Sequence, residues 1–141
     1  MKVSADKDTP FTSPSAILED VSDDQSRNLL YGFIHDFMGS EDLYLAALDR
    51  AEAGTPELNW ANNFVNAKMY PDGRVVIEQL EYLLEDSQKD HPPQTVITIA
   101  EARKLILDWI EARDAWYAER ETNAPQAAPP DAPTAGPRSR G

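Results

Sequence analysis

The residues best suited to proton transfer near neutral pH are two histidines, His35 and His91. His35 stands beside Asp36, but on a helix adjacent residues point roughly 100° apart. Neither histidine has a serine or carboxylate at a spacing that builds a nucleophile, base and orienting group. His91 belongs to a second group, in which Glu85, Asp86, Asp90 and His91 gather oxygen and nitrogen donors in one loop. A hard cation takes such donors, yet the alternating carboxylates and central glycine of a calcium loop are missing. The expectation is a solvated acidic loop with no metal and no cofactor. Phosphate-binding glycine loops, nucleophile elbows and zinc signatures do not occur. The chain has no cysteine, which removes thiol catalysis and disulfides. No carboxylate pair is singled out for glycosidase-like chemistry. The chain is expected not to be an enzyme.

Recognition fits the carboxylates better. Glu78, Glu81, Glu85, Asp86 and Asp90 crowd one stretch, with Tyr82 among them as a candidate aromatic anchor that Trp60 or Tyr70, near the hairpin, could join; internal packing is the plainer expectation for Tyr82 and Trp60. The chain of 141 residues carries a net charge of −12, and the tails do not supply it. Between Ser15 and Thr122, 9 Lys and Arg face 22 Asp and Glu, a net of −13. Such a surface repels nucleic acid and anionic membranes and steers basic partners inward; it also simply keeps a protein soluble. Trp109 with Arg113, and Trp116 with Arg120, are i,i+4 pairs in which a guanidinium can lie along an indole. Core tryptophans covered by arginine stems are the plainer expectation.

The element that must position these residues runs from Thr95 to Arg120. Thr98 and Glu101 have capping-box spacing, and Ala102, Leu105, Ile106, Trp109, Ile110, Arg113, Trp116 and Tyr117 recur at helical steps. This predicts a long amphipathic helix from Ile99 to Glu121. Upstream, Ser22 with Gln25 opens a helix whose stripe is Leu29, Leu30, Phe33, Ile34, Phe37 and Met38, closed by Gly39. Gly32 inside it implies a close approach by another element. Ser40 caps a second helix, with Leu43, Leu45, Ala47, Leu48 and Ala51 as its apolar set, ending at Gly54. Glu41, Asp42, Asp49 and Glu52 make that helix unfit to read DNA. Between Asn62 and Glu78 the period becomes two around Pro71-Asp72-Gly73, a β-hairpin, with Thr95–Thr98 as the candidate third strand. Leu80, Leu83 and Leu84 allow a helical turn, or Gln79 to Leu83 prolong the strand; a strand followed by a loop is the expectation.

The expected class is α+β: two N-terminal helices, an antiparallel hairpin and a long C-terminal helix, in one domain over 15–121. Residues 1–14 and the proline-rich 122–141 are expected to be disordered, with a short turn around Ile17, Leu18 and Val21 docking on the domain. No secretory h-region or membrane span is visible, so a cytoplasmic location is expected.

The run from Trp60 to Trp116 joins a strand, the PDG turn, the strand VVIEQL, an acidic loop and ITIAEARKLILDWIEARDAW. It resembles the immunity proteins of bacterial toxin–immunity systems, including those of contact-dependent inhibition. The resemblance carries over no binding residue. It implies a cytoplasmic protein that binds one toxin domain, often a basic nuclease, and blocks its active site. Glu78, Glu81, Tyr82, Glu85, Asp86 and Asp90 are then the expected partner-binding residues, with no nucleic acid or membrane bound directly. Two alternatives stay open: an adaptor, inhibitor or nucleic-acid mimic for another basic partner, and a small enzyme using His35 with a buried carboxylate. Oligomeric state is open.

Overall fold

A computed structural model describes residues 1–9, 12–35 and 40–123 of the chain, with side chains as far as Glu121. Helices and antiparallel strands segregate, so the class is α+β, but the expected order of elements is incorrect. The chain begins with strands: β1 (Lys2–Ala5) pairs antiparallel with β2 (Ala16–Glu19). Then come α1 (Asp24–His35), α2 (Glu41–Glu52), β3 (Leu58–Ala61), β4 (Val65–Met69), β5 (Arg74–Gln79), β6 (Gln94–Thr98) and α3 (Ile99–Asn123). The main sheet has four strands in the order β3-β4-β5-β6, rather than a hairpin with one candidate addition.

The missed strands have a common cause. Each has four residues, too few for alternation to stand out. Their pairing depends on tertiary contacts rather than on intrinsic preference. Strand β1 lies in the segment expected to be disordered, where it runs along α3 and pairs with β2. Ile17 and Leu18, expected in a short turn, are instead strand residues, with Leu18 buried and Ile17 exposed. Strand β3 sits between Pro56 and the Asn62 turn, and its Trp60 packs on Tyr44 at 5.2 Å between ring centroids.

All three helices contribute to one core against the inner face of the main sheet. Val65, Ala67, Met69, Val75 and Ile77 come from the two central strands; Leu30, Phe33 and Ile34 come from α1. Helix α2 adds Tyr44, Ala47, Leu48 and Ala51, whereas Leu43, expected to be inside, is 55% exposed. The inner position one residue on takes Tyr44, whose ring meets Phe33 edge-on at 5.8 Å. Phe37, Met38 and Gly39, placed in the first helix from the sequence, lie outside the described residues, as does the tail from residue 124. Among the described residues no helix is long and apolar enough to cross a membrane.

Local chemistry sets the element ends. Asp23, not Ser22, caps α1: its carboxylate accepts the Ser26 amide at 2.7 Å and the Ser26 hydroxyl at 3.1 Å. A carboxylate is the stronger acceptor and also meets the positive end of the helix dipole. In the β4–β5 turn Gly73 takes φ 98°, and Asp72 accepts both the backbone amide and the Nε of Arg74. Strand β6 passes into α3 without a loop. The Thr98 amide donates to the Glu101 carboxylate at 2.9 Å, and the Glu101 amide donates to the Thr98 hydroxyl at 3.0 Å. The Ile99 amide still bonds to the Gly73 carbonyl, so the helix starts while the strand is held.

Two measurements test this account. Thr98→Ala removes half of the box and lowers unfolding stability by about 1 kcal/mol, read as a lower urea midpoint; an unchanged midpoint contradicts the cap. The Ser26 amide bond lowers the pKa of Asp23, and the Arg74 hydrogen bond lowers that of Asp72. Groups with depressed folded-state pKa stabilise above the unfolded value and lose that contribution as pH falls through the folded one. Stability therefore drops below about pH 4, and the double variant Asp23→Asn, Asp72→Asn shows a flatter acid limb in urea titrations.

Candidate functional site

After β5 the chain neither extends the strand nor forms a full helix. It makes two single-turn 3-10 helices, Glu81–Leu83 and Asp86–Gln88, before the two prolines that lead into β6. Local bonds fix this shape. Gln79 donates its side-chain amide to the Leu83 carbonyl at 2.9 Å. Glu85 and Gln88 form a reciprocal capping box, in which the Glu85 amide donates to the Gln88 side-chain oxygen at 3.0 Å. Tyr82 donates its hydroxyl to the Asn63 carbonyl at 3.0 Å, tying the segment to the β3–β4 turn.

The expected binding residues fall into three environments. Glu78 and Glu81 line a cavity of ≈ 400 Å³ with Asn66, Leu84 and Lys89. Glu78 ends on the outer face of the sheet, partly buried and 3.4 Å from Lys68. Tyr82 is 73% exposed, with its hydroxyl held and its ring open to solvent. Glu85 is exposed but uses its carboxylate as a helix cap. Asp86 is fully exposed, 3.5 Å from Lys89, and Asp90 is exposed beyond it. The segment thus holds the carboxylates on one stretch of surface, although only Glu78 and Glu81 share a cavity. Of the two further aromatic candidates, Trp60 packs against Tyr44 at the core, and half-buried Tyr70 lies under the exposed Arg74 guanidinium at 4.4 Å.

His35 is exposed near the end of α1, stacked on Tyr31 at 4.7 Å and edge-on to Phe64 at 6.0 Å. Its neighbour Asp36 lies outside the described residues. His91 is exposed in the loop. Among the described residues no cluster of three or more His, Asp or Glu could hold a metal ion. Trp109 and Trp116 are both buried. Arg120 covers Trp116 at 4.2 Å and also donates to the Thr9 carbonyl. Arg113 instead pairs with Glu41 of α2 at 3.1 Å.

Lys89, Asn66 and Asn63 were not singled out from the sequence. Lys89 carried a usable signal, as the sole cation between Glu78 and His91. If the capping box sets the shape of the segment, Gln88→Ala speeds hydrogen exchange at the Glu85 and Gln88 amides while the core of α3 keeps its protection. Equal exchange in both proteins contradicts that role.

No family model, no curated protein and no solved structure matches the chain.

Proposed function

We propose that the chain is a binding protein of the immunity type, which uses the acidic segment from Glu78 to Asp90 to dock and neutralise a basic toxin domain. The observation that carries this reading is a set of exposed acidic groups on a pre-shaped backbone. Glu81, Asp86 and Asp90 face solvent beside the open ring of Tyr82. The capping box and the Gln79 and Tyr82 hydrogen bonds hold that backbone before any partner arrives. A pre-formed surface loses less conformational entropy on binding than a free loop would. Carboxylates steer a cationic surface into encounter, and an aromatic ring supplies the desolvated contact that slows release. Carboxylates can also stand where a nuclease would hold phosphates. Within this reading Glu78 has a secondary part, because Lys68 already neutralises it, and Glu85 acts through the shape it caps.

The test uses the toxin domain encoded beside the gene. The two proteins copurify, and their affinity falls steeply with added salt, since exposed charge pairs are screened. Charge reversal by Glu81→Lys, Asp86→Lys and Asp90→Lys weakens the complex at least about tenfold at moderate salt, with little change in urea midpoint. A complex of unchanged affinity after that reversal removes the acidic segment from the interface.

A further inference from the structure

A second concavity adjoins the same segment, between α1 and the 3-10 turns. Its volume is ≈ 420 Å³. None of its lining residues is charged, in a chain of 25 acidic residues. Four carboxamides reach it, Gln25 and Asn28 from α1 and Gln79 and Gln88 from the segment, around the apolar surfaces of Leu29, Val65, Phe64 and Leu83. Phe64 is 44% exposed and Leu83 is 40% exposed, so both present apolar area to whatever enters.

The free valences are of one kind. Gln79 gives its side-chain N–H to Leu83 and retains an oxygen that can accept. Gln88 accepts from Glu85 through its oxygen and retains an N–H₂ that can donate. Gln25 and Asn28 are exposed and make no side-chain hydrogen bond among the described residues. A carboxamide offers one acceptor and two donors, the same chemistry as a peptide backbone. Groups that donate and accept over an apolar floor match the main chain of an extended peptide. They supply no positive charge to a phosphate or an isolated carboxylate, which the net charge of −12 also disfavours. The concavity is partly open to solvent, about as much as the one beside Glu78 and Glu81. Small molecules are usually held with most of their surface covered; an open groove suits a segment anchored at both ends.

The floor is rigid. Gly32 brings α1 so close to β4 that a Cβ there would stand 3.1 Å from the Phe64 Cβ and 3.2 Å from a Val65 methyl. Asn62 donates to the Gly32 carbonyl at 2.9 Å and locks the approach. Acidic residues adjoin the lining residues in the chain: Asp23 and Asp24 precede Gln25, and Glu85 and Asp86 lie between Leu83 and Gln88, with Asp24 paired to Arg27 and Asp86 to Lys89. All four are exposed.

We propose that this groove is an anchor site for an extended, cation-flanked segment of a partner protein, seating an uncharged aromatic or large aliphatic side chain between Phe64 and Leu83. The proposal rests on the reading of the acidic segment as a docking surface and adds an apolar pocket beyond the ring of Tyr82. The backbone of the bound segment exchanges hydrogen bonds with the four carboxamides, and its Lys or Arg residues meet the acidic flanks.

The full-length ¹⁵N-labelled protein is titrated with three acetylated, amidated heptapeptides: Lys-Lys-Gly-Phe-Gly-Lys-Lys, the same with Ala in place of Phe, and Ser-Ser-Gly-Phe-Gly-Ser-Ser. The Phe peptide with lysines is expected to shift the amides of Asn28, Gly32, Val65 and Gln79. It should bind about tenfold tighter than its Ala counterpart, the scale of burying one large apolar side chain. Phe64→Ala and Asn28→Met each reduce that preference severalfold. Asn28→Met is at an exposed helix position and retains the wild-type urea midpoint, so its loss of binding is not a loss of fold. Reversal of Glu81, Asp86 and Asp90 weakens both lysine peptides by the same factor. Equal binding of the Phe and Ala peptides, with shifts confined to 81–90, overturns the groove and leaves the acidic surface standing. Equal binding of the serine-flanked and lysine-flanked Phe peptides, insensitive to salt, overturns the cation-flanked occupant. Absence of any shift with all three overturns the proposal.

Discussion

The side chain of Asn62 joins three parts of the structure. Its oxygen accepts the amides of Phe64 and Val65, which shapes the turn between β3 and β4, and its nitrogen donates to the Gly32 carbonyl in α1. A carbonyl has two lone pairs, so one within a helix can accept this bond from outside it. A Cβ at position 32 would press on Phe64 and Val65, which would have to shift by a few tenths of an ångström. In the middle of a helix glycine costs up to about 1 kcal/mol relative to alanine, and the close packing on Phe64 and Val65 offsets that cost. Once α1 is fixed on the β3–β4 turn, Leu30, Phe33 and Ile34 reach the core, and its outer side is left facing the 3-10 segment.

Charge is distributed by a second constraint. Of the nine cations between Ser15 and Thr122, seven lie within ion-pair distance of a carboxylate. Several join separate elements: Arg103 of α3 reaches both Asp49 and Glu52 of α2, and Arg113 reaches Glu41 at the other end of the same helix pair. Apart from the mostly buried Arg113–Glu41 pair, these exposed or half-exposed pairs contribute little individually, about 0–1 kcal/mol. Their larger consequence is that few cations remain for the other acidic groups. Glu81 and Asp90 have no ion pair among the described residues, so their field extends into solvent. An excess of 13 carboxylates over cations in this span is self-repulsive, and a cationic partner would relieve it.

How far the sequence foretold these features depends on how local their causes are. The Thr98–Glu101 box, the Pro71-Asp72-Gly73 turn and the stripe of α3 involve residues a few positions apart, and each was legible. Gly32 signalled a close approach without revealing that Phe64 and Val65 make it. Strands β1, β2 and β3 were missed because their stability lies in partners far along the chain. The same applies to Arg113: spacing alone puts it on Trp109, but Glu41 of α2, with a mostly buried side chain, is an anionic partner that the indole does not match. At the site, the carboxylates were visible as a cluster in sequence, while their division between capping, ion pairing and solvent was not. That division depends on the two 3-10 turns, whose brevity leaves no periodicity to detect. The groove was illegible for a different reason: its glutamines and asparagine are scattered over sixty residues, and carboxamides carry no chemical signature of their own.

The acidic segment and the neutral groove share one stretch of chain, and charge and apolar contact act differently there. Long-range charge accelerates encounter and discriminates against anionic partners, but water and salt screen it at contact. Apolar contact acts only at short range and mainly lengthens the life of a complex once formed. A surface with carboxylates alone would attract many basic proteins and retain few. Adjacency of the two on a segment held by Gln79, Tyr82, Glu85 and Gln88 couples them mechanically. Gln79 and Gln88 each use one side-chain valence to shape the acidic turns and also line the groove. Loosening either bond would therefore disturb both proposed surfaces together, whereas changing a carboxylate such as Asp90 would alter the field without altering the groove.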